Sequence, residues 1–240
     1  INGLKIPIGS ILEGAILPMG VVTDIGVDAK LETKSYSAFG QMEYDITDQL
    51  TLITGLRVMR EDKDYDMTNG FYASTSPTEV HQGGYVGGGP LGSFSDSTSD
   101  DLWTGKIQLD YHMTDDLLLY AGVNRGVKAG SFNAPLIGNY ARVGNAGLPY
   151  DEEVLVSFEG GFKATLMDGL ARLNGAAFYY DYSDYQAFLF TGVGGVVINR
   201  DAETTGAELS LQMSPAEGWD IMIGGSWTDA EVKDVPLSLT

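Results

Sequence analysis

The chain has 240 residues, with 14 Lys and Arg against 33 Asp and Glu, and a net charge of −19. This charge argues against nucleic-acid binding, which needs a positive surface to neutralise phosphates. The chain has no Cys, so disulfide frameworks, thiol catalysis and Cys-based zinc sites are excluded. No apolar run of about 18 residues occurs, so we expect no transmembrane helix.

The N-terminal segment, residues 1–35, comes before the first regular alternation of the sequence. Its apolar stretch from Ile11 to Val22 is interrupted by Gly14, Pro18 and Gly20, and no basic region precedes it. It is therefore not a signal peptide. We expect a loop or the remnant of a strand here, with any export signal lying upstream of residue 1.

From Tyr36 onward, apolar and polar residues alternate with period two, which is the signature of β-strands. The clearest runs start at Tyr36, Trp103, Glu153 and Trp219, and they reach 10 to 16 residues. Strands of soluble proteins are usually about 5 or 6 residues long. A tilted strand that crosses a membrane needs about 9 to 11 residues, so the run lengths favour transmembrane strands.

Aromatic residues recur at a fixed spacing on the apolar face of these runs. Three pairs lie eight residues apart: Tyr36 and Tyr44, Trp103 and Tyr111, Trp219 and Trp227. Eight residues span about 26 Å along a strand, or roughly 20 Å of height at a tilt of about 40°. This is close to the apolar band of about 25 Å between the aromatic girdles of an outer-membrane barrel.

Short and long connections alternate along the chain. Short polar turns are predicted at 47–49, 114–116, 167–169 and 214–218. The connections between them are expected at about 64–100 and 131–151, with a short third one whose tip is at 192–195. Short turns on one side and mostly long loops on the other are typical of outer-membrane barrels. The sequence thus predicts an all-β, antiparallel, up-and-down transmembrane β-barrel wall of eight strands over residues 36–233. Residues 1–35 and 234–240 then lie on the extracellular side.

Several segments resemble the TonB-dependent outer-membrane receptors. They are Tyr36–Gln41 with Gly55–Arg57, Leu119–Ala121 with Lys128–Asn133, Phe158–Lys163 with Ala177–Tyr182, and Gly206–Leu209. Each motif is weak alone, but their order and spacing together are specific and cover about residues 36–232. The resemblance implies that the eight strands are a sector of a larger, roughly 22-stranded barrel.

The resemblance also implies a function: active import of a scarce nutrient, such as a ferric siderophore, across the bacterial outer membrane. Its implied partners are outer-membrane lipid, the small-molecule nutrient, and the TonB complex, reached through an N-terminal plug region that this chain lacks. No cofactor is implied. The alternatives are a small passive or structural barrel, porin-like or adhesin-like, and a soluble β protein.

Two groups of candidate residues follow from the pattern. Charged residues on the polar faces are expected to line the lumen and to be cross-linked by ion pairs, or to face a plug or the substrate path: Glu43, Arg57, Lys106, Asp110, Glu159, Lys163, Arg172 and Glu208. Aromatic residues of the long connections are candidates for substrate contact: Phe71, Tyr72, Tyr85, Phe132 and Tyr140.

Other motifs carry no chemistry. The run Gly83–Gly89 lacks the Lys and Ser or Thr of a phosphate-binding loop. The alternating Asp62, Asp64 and Asp66 lack the Gly and Glu of a calcium loop, so we interpret them as a charged strand end. The two histidines, His81 and His112, are too few for a His-rich metal site. No catalytic set is recognisable, and we predict that the protein is not an enzyme.

Overall fold

The computed structural model describes residues 22–74, 89–190 and 194–235. Its strands are β1 Val22–Thr47, β2 Leu50–Ser74, β3 Gly92–Thr114, β4 Leu117–Lys128, β5 Ser131–Phe132, β6 Pro149–Tyr150, β7 Glu153–Leu166, β8 Ala171–Phe190, β9 Gly195–Ala216 and β10 Trp219–Val232. One short helix, α1 Ile137–Val143, and a 3-10 helix, Asn145–Gly147, lie between β5 and β6. In the described ranges, no helix has both the length and the apolar character needed to cross a membrane.

Eight of the strands form one antiparallel sheet in the order β1-β2-β3-β4-β7-β8-β9-β10, so each strand pairs with the next long strand of the chain. The four short turns lie where the sequence predicts them, and the outer connections join β2 to β3, β4 to β7 and β8 to β9. The two short strands β5 and β6 pair with each other inside the long connection between β4 and β7. The up-and-down architecture is therefore confirmed.

The strands reach further outward than the alternation predicts. β2 and β3 stay paired as far as Asn69 and Gly92, well inside the segment predicted as a loop. On this extension, the Ser95 hydroxyl donates to Asp66 at 2.7 Å and the Ser99 hydroxyl donates to Asp62 at 2.5 Å. Cross-strand Ser–Asp bonds let a polar strand pair continue above the apolar band. β1 likewise begins at Val22, before the predicted start of the wall at residue 36.

The register places the six girdle aromatics on one face of the sheet. Trp103 pairs with Val58, which lies on the same face as Leu56, the partner of both Gly40 and Gly105. All six rings are exposed on this face, which we call the outward face. Because side chains of a strand alternate, the polar residues between them lie on the opposite, inward face.

The register also gives the tilt of the strands. The row of paired residues that starts at Tyr44, at the turn end of β1, reaches Trp227 near the outer end of β10. The outer aromatic of β1 is Tyr36, so the girdle shifts by eight residues over seven strand-to-strand steps. With a rise of about 3.3 Å per residue and a strand spacing of about 4.8 Å, this shift corresponds to a tilt of about 40°.

The sheet is open at both edges. In the described part of the chain, β1 pairs only with β2, and β10 pairs only with β9. A complete eight-stranded barrel would pair its first strand with its last, so the small-barrel alternative is not favoured. A soluble sandwich is not favoured either, because the strands form a single sheet and β1 alone has 26 residues. The sheet is a sector of a larger barrel.

The two faces make opposite predictions for charged substitutions. Ile107 is outward and lies midway between the girdle residues Trp103 and Tyr111, whereas its neighbour Gln108 is inward. We expect Ile107→Arg to lower the free energy of unfolding of the complete barrel in lipid by about 2–4 kcal/mol. Gln108→Arg, the matched control, should change it by less than about 1 kcal/mol. Denaturant titration of the refolded protein in vesicles measures both values, and equal losses would contradict the assigned faces.

Candidate functional site

The connection between β4 and β7, residues 129–152, folds back over the inward face of the sheet. Phe132 and Leu148 of this connection pack on Tyr65 and Met67 of β2, and all four side chains are buried. The Phe132 ring stacks on the Tyr65 ring, with a centroid distance of 4.8 Å and an interplanar angle of 2°. We call these four residues the loop core. It fixes the connection above the lumen side of β2.

A hydrogen bond completes the loop core. The Tyr65 hydroxyl donates to the backbone carbonyl of Asn133 at 2.8 Å. Burial raises the pKa of Tyr65 to about 12, so the phenol stays protonated and remains a donor at neutral pH. Since stacking and hydrogen bonding act on the same ring, Tyr65 holds both the orientation and the height of the connection.

Asn133 attaches the connection to the β8–β9 hairpin. Its side-chain oxygen accepts from the Val197 N–H at 2.7 Å, and its amide nitrogen donates to the Val197 carbonyl at 2.9 Å. Its own backbone N–H donates to the Leu148 carbonyl at 2.7 Å. Asn133 is 6% exposed, so these bonds satisfy polar groups that water does not reach.

A second attachment lies at the base of the connection, where it joins β4 and β7. Gln186 of β8 donates from its side-chain amide to the carbonyls of Ala129 at 2.9 Å and Asp151 at 3.1 Å. Asn199 of β9 accepts from the Asp151 N–H at 2.8 Å. A Cβ on Gly130 would come within 2.6 Å of the Tyr150 carbonyl oxygen, so only glycine allows the two ends to approach this closely. Both bases of the connection are thus fixed to the neighbouring hairpin.

The structure places the five candidate contact aromatics in different environments. Phe132 belongs to the loop core and is 8% exposed, so it packs and offers little surface to a ligand. Tyr72 is 5% exposed and its hydroxyl donates to Asp28. Phe71 and Tyr140 are half-buried, and the Tyr140 hydroxyl donates to Asn145. Tyr85 lies outside the described residues. The expectation that these rings are simply exposed on loops does not hold for Phe132 and Tyr72.

The eight predicted lumen charges all lie on the inward face according to the register. The expected ion pairs are a different matter: in the described part of the chain, no salt bridge joins any of the eight to an opposite charge. Neutral partners take their place. Tyr120 donates to Glu159 at 2.9 Å, Arg57 donates to Ser37 at 3.1 Å, and Gln108 donates to Asp110 at 2.6 Å.

The sequence reasoning did not single out the residues that fix the connection. Gln186 and Asn199 are single polar residues in strands, with no local pattern to mark them. Asn133 lies in the segment Lys128–Asn133 that carries part of the family resemblance, and that was the one available signal. Their role depends on contacts between residues about 50 or more positions apart in sequence.

Removing the Asn133 side chain should release the connection. In Asn133→Ala, the Val197 backbone groups lose their partners, at a cost of about 1–3 kcal/mol. We expect amide hydrogen exchange in residues 129–152 to accelerate by roughly tenfold or more, while the exchange of the wall strands stays unchanged. Arg142→Ala is the matched control, because Arg142 is exposed on α1 of the same connection. Equal protection in both variants would show that Asn133 does not hold the connection.

Comparison with known proteins agrees with this geometry. Residues 14–239 match the family model described as TonB dependent receptor-like, beta-barrel. The chain is 26% identical over 197 residues to the pesticin receptor of Yersinia enterocolitica, and similarly over 195 residues to that of Yersinia pestis. Each match covers 80% of this chain and 25% of the receptor, so the chain spans about a quarter of the length of these relatives.

Solved structures show the same fold at lower identity. The ferric yersiniabactin uptake receptor FyuA from Yersinia pestis matches with a TM-score of 0.63 at 20% identity, over 91% of this chain and 34% of that chain. The siderophore receptor PiuA from Acinetobacter baumannii matches with a TM-score of 0.58 at 18% identity, over 88% of this chain and 26% of that chain. The family match over most of the chain decides the assignment: the chain belongs to the TonB-dependent receptors, and its eight strands are a wall segment of that family's outer-membrane β-barrel.

Proposed function

We propose that this chain is the wall sector of an outer-membrane transport receptor, and not of an enzyme, that imports a scarce nutrient with energy supplied through TonB. The observation that carries the proposal is an open sheet of tilted transmembrane strands whose inward face bears charges without ionic partners. The ferric yersiniabactin receptor and the pesticin receptor among its relatives support an iron-carrying siderophore as the substrate class.

The inward charges support a plug against this wall. Lys106, Lys163 and Glu208 have no carboxylate or cationic partner in the described part of the wall. Charges of a hydrated lumen can be solvated by water, or they can pair with a domain that fills the barrel. The second arrangement agrees with the plug that the family resemblance implies. A force transmitted from TonB through the plug would then act on this face.

The braced connection supports a role in substrate binding. It reaches over the lumen side of β2, where a nutrient entering from outside has to pass. On it, Tyr140 is half-buried and packs beside the loop core, so one side of its ring remains accessible. We propose Tyr140 and Phe71 as contact residues, with Tyr85 as a third candidate, and we assign Phe132 and Tyr72 to packing.

Uptake of radioactive iron tests the proposal. A strain that lacks the gene for the complete protein should lose uptake of at least one ferric siderophore from a panel that includes ferric yersiniabactin. The complete wild-type protein should restore this uptake in a strain with TonB and should fail to restore it without TonB. Unchanged uptake of the whole panel after deletion would contradict the import of ferric siderophores. Restoration without TonB would instead indicate a passive channel.

A further inference from the structure

The outward face carries one arginine that no carboxylate neutralises. Arg125 of β4 pairs with Gly105 and Val156, which places it on the same face as the girdle aromatics. Its guanidinium lies 4.2 Å from the centroid of the Trp103 ring and donates to the Trp103 carbonyl oxygen. Within the described ranges, no salt bridge reaches it.

Another outward arginine at a similar height is neutralised. Arg60 of β2 lies 3.2 Å from Asp101 and 3.4 Å from Asp62, and it also donates to Ser99. The two arginines therefore share a face and a level but differ in their partners. Arg125 retains guanidinium N–H groups that an external anion can accept from, whereas those of Arg60 are directed at carboxylates.

The level of Arg125 is the outer boundary of the apolar band. Trp103 is the outer girdle aromatic of β3, and its ring lies over Gly105, where a Cβ would come within 3.2 Å of the ring. The guanidinium stacked on this ring is therefore held at the height where lipid headgroups meet the acyl chains.

Two adjoining apolar grooves extend from this level toward the middle of the membrane. The first is lined by Met42, Leu56, Ile107 and Val123, with Arg125 at its outer end. The second is lined by Leu109, Ala121, Phe158 and Ala177, and it shares Ile107 and Val123 with the first. Ile107 and Val123 are paired in the sheet and form a ridge between the grooves. Small residues on either side of the ridge, including Gly40, Gly105, Ala121 and Ala177, keep the grooves open.

The depth of the grooves matches one leaflet. Leu109 lies six residues beyond Trp103 on β3. At about 3.3 Å per residue and a tilt of about 40°, this is roughly 15 Å of depth, or half of a hydrocarbon core of about 30 Å. The grooves can therefore hold the chains of a lipid whose headgroup lies at Arg125.

We propose that this patch is a binding site for a diacyl lipid with an anionic phosphate headgroup from the outer leaflet. Arg125 donates to the phosphate, and the two acyl chains lie on the two sides of the Ile107–Val123 ridge. The charge of the remaining outward face supports a localised site. On β8, β9 and β10, the residues above the girdle include Asp181, Glu203 and Glu231, which repel an anionic headgroup. The site depends on the outward face meeting lipid and is independent of the nutrient transported.

Photocrosslinking with two matched lipids tests this site. The complete protein is placed in phosphatidylcholine vesicles that contain a minor fraction of a lipid with a diazirine in its acyl chains, either phosphatidylglycerol or phosphatidylcholine. In the wild type, we expect the anionic probe to label residues 105–109 and 121–123 at least about threefold more than the zwitterionic probe. Arg125→Gln should reduce this ratio to about one, whereas Arg60→Gln should leave it unchanged.

A salt titration of the unmodified protein keeps the test independent of the variants. Because the contact is between charges near water, the preference for the anionic probe should fall as the salt concentration rises. A ratio near one in the wild type would show ordinary boundary lipid only and would overturn the proposal. A preference that survives Arg125→Gln, or that does not change with salt, would overturn it as well.

Discussion

Every backbone N–H and C=O group that faces hydrocarbon needs a hydrogen-bond partner inside the protein, and the whole wall depends on this constraint. The six inner strands of the sheet meet it on both sides, whereas β1 and β10 meet it on one side only. Free edges inside a membrane are not stable, so β1 and β10 must pair with strands outside this chain. The open sheet, the length of the strands and the family assignment therefore have one physical origin.

One register produces both functional surfaces. The eight-residue shift of the girdle tilts the strands, brings the aromatics to two levels on the outward face and places the charges on the inward face. A slip of one residue in any strand would exchange the two faces, putting charges such as Glu159 and Lys163 into lipid. Transport and lipid contact thus use opposite sides of the same strands, and a substitution at one side leaves the chemistry of the other side unchanged.

The sequence predicts what depends on short spacings. Strand faces, the four turns and the inward charges follow from a period of two and from aromatics such as Trp103 and Tyr111 eight residues apart. It fails where distant residues meet. The burial of Phe132 depends on Tyr65, 67 positions earlier. The outer extension of β2 and β3 depends on Ser–Asp bonds between strands, which local composition reports as a polar loop. The expected ion pairs fail because the inward charges have hydroxyl or amide neighbours instead, as Glu159 has in Tyr120.

The distance between β1 and β10 tests most directly whether this sheet is a sector of a larger barrel. The chain has no Cys, so spin labels can be attached at Ala38→Cys and Gly225→Cys, both outward and two residues below the outer girdle. Seven steps around a barrel of about 22 strands predict a separation of roughly 35 Å in the complete protein in lipid. Pulsed electron paramagnetic resonance measures this distance. A separation below about 15 Å would mean that β1 and β10 are neighbours in a closed eight-stranded barrel, which would contradict the account.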